Sequence, residues 1–221
     1  MFLYTFAMIF MFFLIIISLL PVYSSLGIVD LFKDNYVVVF IFFSYLPSLF
    51  TGWNAVASSS FSREGRYLEL LVQLPITTKI LVNSKIITAV LFNSIVTIIF
   101  ILMLKFTKVP FVISSLTCIS MISLSFLTLL IAILNDILSP NVKWFYEKDL
   151  FKNNFKLFKS ILYPVIYLFV MIFFYLIINS ICSQSEVVFY ILACVSIIIT
   201  ASLNIHYYKK IILKADILYN L

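Results

Sequence analysis

The chain has 221 residues, of which 64% are hydrophobic, 18% are aromatic and only 11% are charged, and its net charge at pH 7 is +6. A soluble domain is about 45–50% apolar and about 25% charged, so this chain has too few charged residues to cover a water-soluble surface. Its mean hydropathy of +1.18 agrees with that composition. The sequence therefore predicts an integral membrane protein.

The scarcity of glycine and histidine excludes the common nucleotide and metal sites. The three glycines stand far apart, at Gly27, Gly52 and Gly65. Phosphate-binding loops and dinucleotide fingerprints need clustered glycines, so any ATP that this protein uses is expected to be hydrolysed by another subunit. A single histidine, His206, and three widely spaced cysteines indicate neither a zinc site nor a disulfide framework. We expect no cofactor and no metal.

Six apolar runs predict six transmembrane helices within one domain, residues 1–221. They cover 2–20, 37–57, 86–104, 111–134, 161–178 and 187–205. The first run lacks a basic start and is too long for a signal peptide, so we interpret it as a helix. Pro47 predicts a bend in the second run, and Pro164 falls in the predicted first turn of the fifth, where proline is tolerated. Ser183 and Glu186 predict a capping box at the sixth.

The basic residues are distributed unequally between the two sets of loops. One set, residues 58–85, 135–160 and the tail 206–221, holds 12 of the 15: Arg63, Arg66, Lys79, Lys85, Lys143, Lys148, Lys152, Lys156, Lys159, Lys209, Lys210 and Lys214. The other set holds Lys33, Lys105 and Lys108. Because cytoplasmic loops carry the excess of Lys and Arg, the first set and both termini are predicted to be cytoplasmic. Orientation and anionic lipid explain the net positive charge, and nucleic acid is not expected as a partner.

The interiors of the six runs carry no ionisable residue; Asp136 and Glu186 fall at the ends of runs. This argues against proton- or sodium-coupled transport and against an intramembrane protease. Small polar residues do occur in the runs, and hydrogen bonds between helices explain most of them. The remainder are candidates to line a path for a hydrophobic or amphipathic substrate: Asn93, Thr97, Ser120, Thr128 and Thr200.

The loop 58–85 predicts an amphipathic helix of about ten residues within positions 62–75. Ser62 is a candidate N-cap, and Pro75 is expected to end the helix. The apolar face repeats at helical spacing through Tyr67, Leu68, Leu71 and Leu74, with Arg66, Glu69 and Gln73 on another face. On periodicity alone, a helix that rests on the lipid surface is the favoured interpretation.

The same stretch resembles the membrane subunit of an ABC-2-type ABC transporter. The resemblance lies in Arg63-Glu64-Gly65, the leucines from Leu68 to Leu71, Pro75 and Lys85. It covers residues 62–85, and the six-span topology matches as well. The resemblance implies a coupling helix that docks on a separate ATPase subunit and transmits its motion to the second and third spans. The residues it assigns to that contact are Arg63, Glu64, Arg66, Leu68, Leu71 and Pro75.

The second cytoplasmic loop carries Asp136, Pro140 and Trp144, similar to a stretch in some Gram-positive ABC-2-like permeases. Behind it, residues 145–160 predict a basic amphipathic segment. One face repeats through Lys148, Lys152, Lys156 and Lys159, and the other through Phe151, Phe155, Phe158 and Leu162. An anchor to anionic lipid is the main interpretation, and contact with an ATPase subunit is the alternative. Trp144 suits a membrane-interface position.

The expected fold is all-α: a polytopic membrane protein with six transmembrane helices, ABC-2 (type V exporter)-like, in the bacterial cytoplasmic membrane. The expected function is the permease subunit of an ATP-driven exporter. Its expected partners are an ABC ATPase subunit, a second permease subunit, membrane lipid and a hydrophobic or amphipathic substrate. The Phe- and Ile-rich composition is similar to the permeases with which staphylococci export phenol-soluble modulins. A membrane sensor, scaffold or immunity protein remains an alternative, and so does a membrane-embedded enzyme, for which candidate residues are lacking.

Overall fold

A computed structural model describes residues 35–67, 73, 75–107, 109–141, 144, 155–181 and 184–219. All regular elements in these ranges are helical. They are α1 (Tyr36–Gly52), α2 (Ala55–Ser58), a 3-10 segment (Ser62–Tyr67), α3 (Thr78–Phe106), α4 (Phe111–Leu138), α5 (Phe155–Ile181) and α6 (Ser185–Tyr219). The predicted first span, 2–20, and Ser183 of the predicted capping box lie outside the described residues.

Four of these helices are long and apolar enough to cross a membrane, namely α3, α4, α5 and α6. A span needs about 20 residues to cross roughly 30 Å of hydrocarbon, and the four helices contain the predicted third to sixth spans. Large apolar side chains on α3 and α5, among them Leu91, Phe169 and Phe173, are exposed on the outer surface. Such surfaces fit contact with lipid, and the chain is a helical, membrane-embedded protein.

The predicted second span is divided into two helices in the structure. The 17-residue helix α1 passes through Pro47 and ends at Gly52. Asn54 then begins α2, because its Oδ1 accepts hydrogen bonds from the N–H groups of Val56 (3.0 Å) and Ala57 (3.4 Å). Asparagine is a favoured N-cap because its side chain satisfies N–H groups that lack a helical partner. A continuous span 37–57 was therefore the wrong prediction, because the helix is interrupted after Gly52. The bend predicted at Pro47 stays a prediction.

The four long helices extend beyond their apolar runs. The third begins at Thr78 rather than at 86, and the fourth continues to Leu138 rather than ending at 134. The fifth begins at Phe155, so Pro164 lies in its third turn and not in its first. The last continues to Tyr219 and has 35 residues, about 52 Å at 1.5 Å per residue, which exceeds the thickness of the hydrocarbon layer.

These extensions are stabilised by packing against one another. Val82 of α3 and Ile211 and Ala215 of α6 are fully buried in one apolar cluster with the end of α4. Helical turns that bury apolar side chains persist past the membrane boundary, because packing rather than lipid contact stabilises them. The predicted cytoplasmic tail 206–221 is thus, through Tyr219, a continuation of α6.

Helix α4 lies at the centre of the bundle and packs against all the other described α-helices. The start of α3, the end of α4, the start of α5 and the end of α6 meet at one end, which we call the charged end. The described parts of the segments 58–85, 135–160 and 206–221 therefore come together, as the distribution of basic residues predicts. That this end faces the cytoplasm stays a prediction.

Candidate functional site

The centre of the charged end is a buried carboxylate. Asp136, close to the end of α4, is 0% exposed. Its Oδ2 accepts hydrogen bonds from the backbone N–H groups of Phe61 (2.6 Å) and Ser62 (2.9 Å). Its Oδ1 accepts from the Ser62 hydroxyl and from Lys156 Nζ, the latter at 2.8 Å. A buried charge is tolerated when it is paired and hydrogen-bonded, and these four donors fulfil both conditions.

Ser62 joins three chain segments through its hydroxyl group. The hydroxyl donates to Asp136 and accepts from the N–H of Asn141 (2.9 Å) and from Lys156 Nζ (3.0 Å). The prediction that Ser62 is the N-cap of an α-helix is wrong, because residues Ser62–Tyr67 form a 3-10 segment and the hydroxyl is directed at Asp136. The buried Asp136 carboxylate needs hydrogen-bond donors, and the Ser62 hydroxyl donates to it instead of capping a helix.

Gly65 and Trp144 meet where the 3-10 segment changes direction. Gly65 has φ +51° and ψ −126°, a conformation that residues with a side chain rarely adopt. A Cβ atom at this position would lie 3.1 Å from Trp144 Nε1. That same Nε1 donates a hydrogen bond to the carbonyl of Ser62 at 2.8 Å. Trp144 therefore covers the turn and contacts residue 65 directly, which is a specific role that its predicted interfacial position did not include.

A second ion pair lies beside the first. Glu64 Oε1 pairs with Lys85 Nζ of α3, and Lys85 Nζ also donates to the carbonyl of Ser60 at 2.9 Å. The hydroxyl of Tyr219, the last residue of α6, donates to Glu64 Oε2 at 3.4 Å. The side chains of Lys85 and Glu64 are 14% and 17% exposed. We call Ser62, Asp136 and Lys156 the inner group, and Glu64, Lys85 and Tyr219 the outer group.

Arg63 binds carbonyl groups of its own chain. Its Nη2 donates to the carbonyl of Val56 (3.1 Å) and its Nε to that of Ser59 (3.3 Å), both in or next to α2. Burial lowers the pKa of the Arg63 guanidinium, and the nearby charges of Asp136 and Glu64 act in the opposite direction. An arginine that supplies the last carbonyls of a short helix with donors stabilises the end of that helix.

The predicted ATPase-contact residues thus fall into three sets. Arg63 and Glu64 contact other parts of this chain. Leu68 and Leu71, and the side chain of Arg66, lie outside the described residues. Pro75 is exposed just before α3. Of the expected amphipathic α-helix, the described beginning is a 3-10 segment instead.

The start of α5 is turned differently from the prediction for segment 145–160. Lys156 was placed on a basic face toward lipid, but its side chain is 18% exposed and pairs with Asp136. Phe158, predicted on the opposite face, is 59% exposed. The buried carboxylate explains this orientation, since it requires a cation within reach. Residues 145–154 lie outside the described residues, so the rest of that segment stays a prediction.

The residues predicted to line a path make hydrogen bonds between and within helices. Thr51 of α1 donates to Asn93 (2.6 Å), Ser44 of α1 and Ser120 share a hydrogen bond (2.8 Å), and Ser123 donates to Thr200 (2.8 Å). The hydroxyls of Thr97 and Thr128 donate to backbone carbonyls one turn earlier in their own helices. These contacts are the packing role that the sequence favoured for most small polar residues, and a translocation path stays a prediction.

The inner group has the composition of a serine–lysine nucleophile pair but not its chemistry. Lys156 Nζ donates hydrogen bonds to Asp136 Oδ1 and to the Ser62 hydroxyl oxygen, so in this arrangement it does not accept the hydroxyl proton of Ser62. Ser62 is 1% exposed and has its hydroxyl occupied by three partners. The geometry is that of a structural ion pair with a bridging hydroxyl. Among the residues that the structure describes, no three His, Cys, Asp or Glu side chains gather as metal ligands.

Sequence reasoning missed both ion pairs because it placed Lys85 and Asp136 in loops and Lys156 at the lipid surface. A signal was nevertheless present. The predicted topology puts Glu64, Lys85, Asp136 and Lys156 on one side of the membrane, and two carboxylates next to two lysines at helix ends favour pairing.

Comparison with protein-family models found no match to this chain. Comparisons with curated proteins and with solved structures found no match either.

Proposed function

We propose that this chain is the membrane-spanning subunit of an ATP-driven exporter, and that residues 66–75 are the contact for a separate ATPase subunit. The substrate class we propose is a hydrophobic or amphipathic molecule such as a peptide. A second permease subunit would complete the translocation unit. The resemblance of residues 62–85 to the coupling region of ABC-2-type transporters is the starting point for this proposal.

The observation that carries the proposal is the attachment of the 3-10 segment to the long helices. Asp136 and Lys156 connect residues 61–62 to α4 and α5, and Lys85 connects Glu64 to α3. A segment that only rests on lipid needs no buried ion pairs to the bundle. A segment that transmits a displacement needs firm connections to the helices that must move, and three of the four membrane-crossing helices are connected here through ion-paired side chains.

The residues beyond Gly65 suit an external contact. Tyr67 is 72% exposed, and Gln73 and Pro75 are exposed as well. The apolar positions predicted from helical spacing, Leu68 and Leu71, supply the side chains that would fill a pocket on the partner. Truncating an apolar side chain that is fully buried costs about 2–5 kcal/mol, enough to dissociate a moderate complex.

The experiment compares two aspartate substitutions in the same segment. Leu71→Asp places a charge on the predicted docking face, and Gln73→Asp places the same charge on the other face. Each tagged full-length variant is purified from its native membranes in mild detergent, and the preparation is assayed for ATP hydrolysis and for a co-purifying subunit with a phosphate-binding loop.

The wild-type protein and Gln73→Asp are expected to retain the ATPase subunit and its activity, and Leu71→Asp is expected to lose both at an unchanged membrane level. If Leu71→Asp retains the ATPase subunit as well as Gln73→Asp does, the segment is not the contact. If no ATPase co-purifies with the wild-type protein, the exporter function is refuted.

A further inference from the structure

The exposure of the side chains changes at Gly65. The side chains of residues 59–62 are buried, from 0% exposed at Phe61 to 2% at Ser60. Between Gly65 and the start of α3 the described side chains are exposed, with Tyr67 at 72%. Residues 59–64 therefore belong to the packed bundle, and the amphipathic segment begins only after the glycine. From the sequence, the residues on both sides of Gly65 within 62–75 were expected to form one docking helix.

The two ion-paired groups do not hold these residues equally. In the inner group, Asp136 is fully buried and each of its oxygens receives two donors. In the outer group, Glu64 is 17% exposed and its hydrogen bond from Tyr219 is 3.4 Å long. Charge-assisted hydrogen bonds away from water are the strong ones, and partly exposed pairs are weakened by solvent. Lys156 of the inner group is 18% exposed, so the difference between the groups lies in the carboxylates: Asp136 is fully buried and receives four donors, which makes the inner group the firmer attachment.

The inner group connects to helices other than those to which the resemblance of residues 62–85 assigns the transmission of motion. Asp136 lies in α4 and Lys156 in α5, whereas the resemblance implies transmission to the second and third spans. A displacement of residues 61–62 cannot leave the ends of α4 and α5 in place without separating a buried carboxylate from its donors. The outer group connects the same stretch to α3 through Lys85.

We propose that Asp136 is the positioning residue that fixes residues 61–62 to α4 and α5, so that motion entering beyond Gly65 reaches these two helices through it. The role in transmission rests on the function proposed above. The fixation itself does not, because it concerns contacts within this chain alone. In this arrangement Gly65 is the junction between the anchored stretch and the docking segment.

Backbone amide hydrogen exchange tests the fixation directly. The N–H groups of Phe61 and Ser62 donate to Asp136, so their exchange in the wild-type full-length protein is expected to be slow. Asp136→Asn keeps the shape of the side chain and removes its charge. Charge-assisted hydrogen bonds are roughly twice as strong as neutral ones, so their loss predicts exchange about 10- to 100-fold faster at residues 61 and 62. Exchange in the middle of α4 is expected to stay at the wild-type rate.

Asp216→Asn is the matched control. Asp216 lies in α6 at the same end and accepts a hydrogen bond from Thr78, but not from residues 59–64. This variant is expected to leave exchange at residues 61 and 62 unchanged. If exchange at residues 61 and 62 is accelerated equally in both variants, Asp136 only stabilises this end of the bundle in general, and the proposal is wrong.

A second readout uses Trp144, which contacts both Ser62 and Gly65. In a Trp53→Phe background it is the only tryptophan, and Asp136→Asn is expected to shift its emission to longer wavelength as the turn separates from it. If Asp136→Asn fails to fold, exchange in the wild-type protein still tests the proposal, because fast exchange at residues 61 and 62 refutes the fixation.

Because the docking face lies beyond Gly65, Asp136→Asn is expected to keep a co-purifying ATPase. Absence of any ATPase from the wild-type protein would refute the proposed function and leave the fixation standing.

Discussion

Removal of the Lys156 ammonium is the perturbation with the largest expected effect on the charged end. Lys156→Met keeps the length and apolar part of the side chain and removes the cation that faces Asp136. Breaking a buried ion pair by deleting one partner costs about 3–5 kcal/mol, because the other charge stays buried without compensation. Here Asp136 retains its donors at residues 61 and 62, so we expect a loss near the lower limit, about 3 kcal/mol.

That loss corresponds to a measurable shift in thermal unfolding. For a chain of this size, 1 kcal/mol lowers the melting temperature by roughly 2–4 °C, so Lys156→Met is expected to lower it by about 6–12 °C. Lys214→Met, at an exposed position of α6 at the same end, is the matched control and is expected to change stability by less than about 0.5 kcal/mol. The assay is thermal unfolding of the full-length protein in detergent.

A double-mutant cycle then isolates the pair itself. Asp136→Asn in combination with Lys156→Met removes both charges, while the asparagine oxygen still accepts from the N–H groups of residues 61 and 62. We expect the double variant to be more stable than the sum of the single losses by about 1–3 kcal/mol, within the range seen for side chains in contact. Strict additivity of the two losses would refute the claim that this pair is energetically coupled.

Two further substitutions test the turn and the orientation. Gly65→Ala forces a residue with a Cβ atom into φ +51° and against Trp144, so it should cost roughly 1–3 kcal/mol of stability and shift the Trp144 emission; wild-type stability and emission would show that the turn does not need glycine. In a background without native cysteines, cysteine at exposed Gln184 should react in intact cells with a membrane-impermeant thiol reagent and cysteine at exposed Gln73 should not; labelling at position 73 from outside would reverse the topology.

The transmembrane helices were predictable because lipid imposes a simple length and composition requirement. The apolar runs 86–104, 111–134, 161–178 and 187–205 each fall inside one long helix. The ends of these helices were not predictable from hydropathy, because each apolar run ends at the first charged residues while the helix continues beyond them. Thr78–Lys85 and the last turns of α4 and α6 remain helical because they pack against one another, and such packing has no signature within a single segment.

The side chains that pair at the charged end were not predicted from the sequence. The distribution of basic residues predicted that the segments 58–85, 135–160 and 206–221 lie at the same end, and the resemblance singled out residues 62–75. The inner group, however, joins Ser62 to a carboxylate 74 residues away and to a lysine 94 residues away. The local pattern around Ser62 favoured an N-cap, and the pattern around Lys156 favoured a lipid-facing helix. In the structure both side chains instead donate hydrogen bonds to the buried carboxylate of Asp136.

Photo-crosslinking from residue 71 in native membranes tests the central claim most directly, because it reports the neighbour of the docking segment without removing it from the bilayer. A photoreactive amino acid is placed at Leu71 and, as the control, at Phe169, which is 66% exposed on α5. Position 71 is expected to yield an adduct with a subunit that contains a phosphate-binding loop and hydrolyses ATP, and position 169 is not. Adducts with lipid alone at both positions would contradict it.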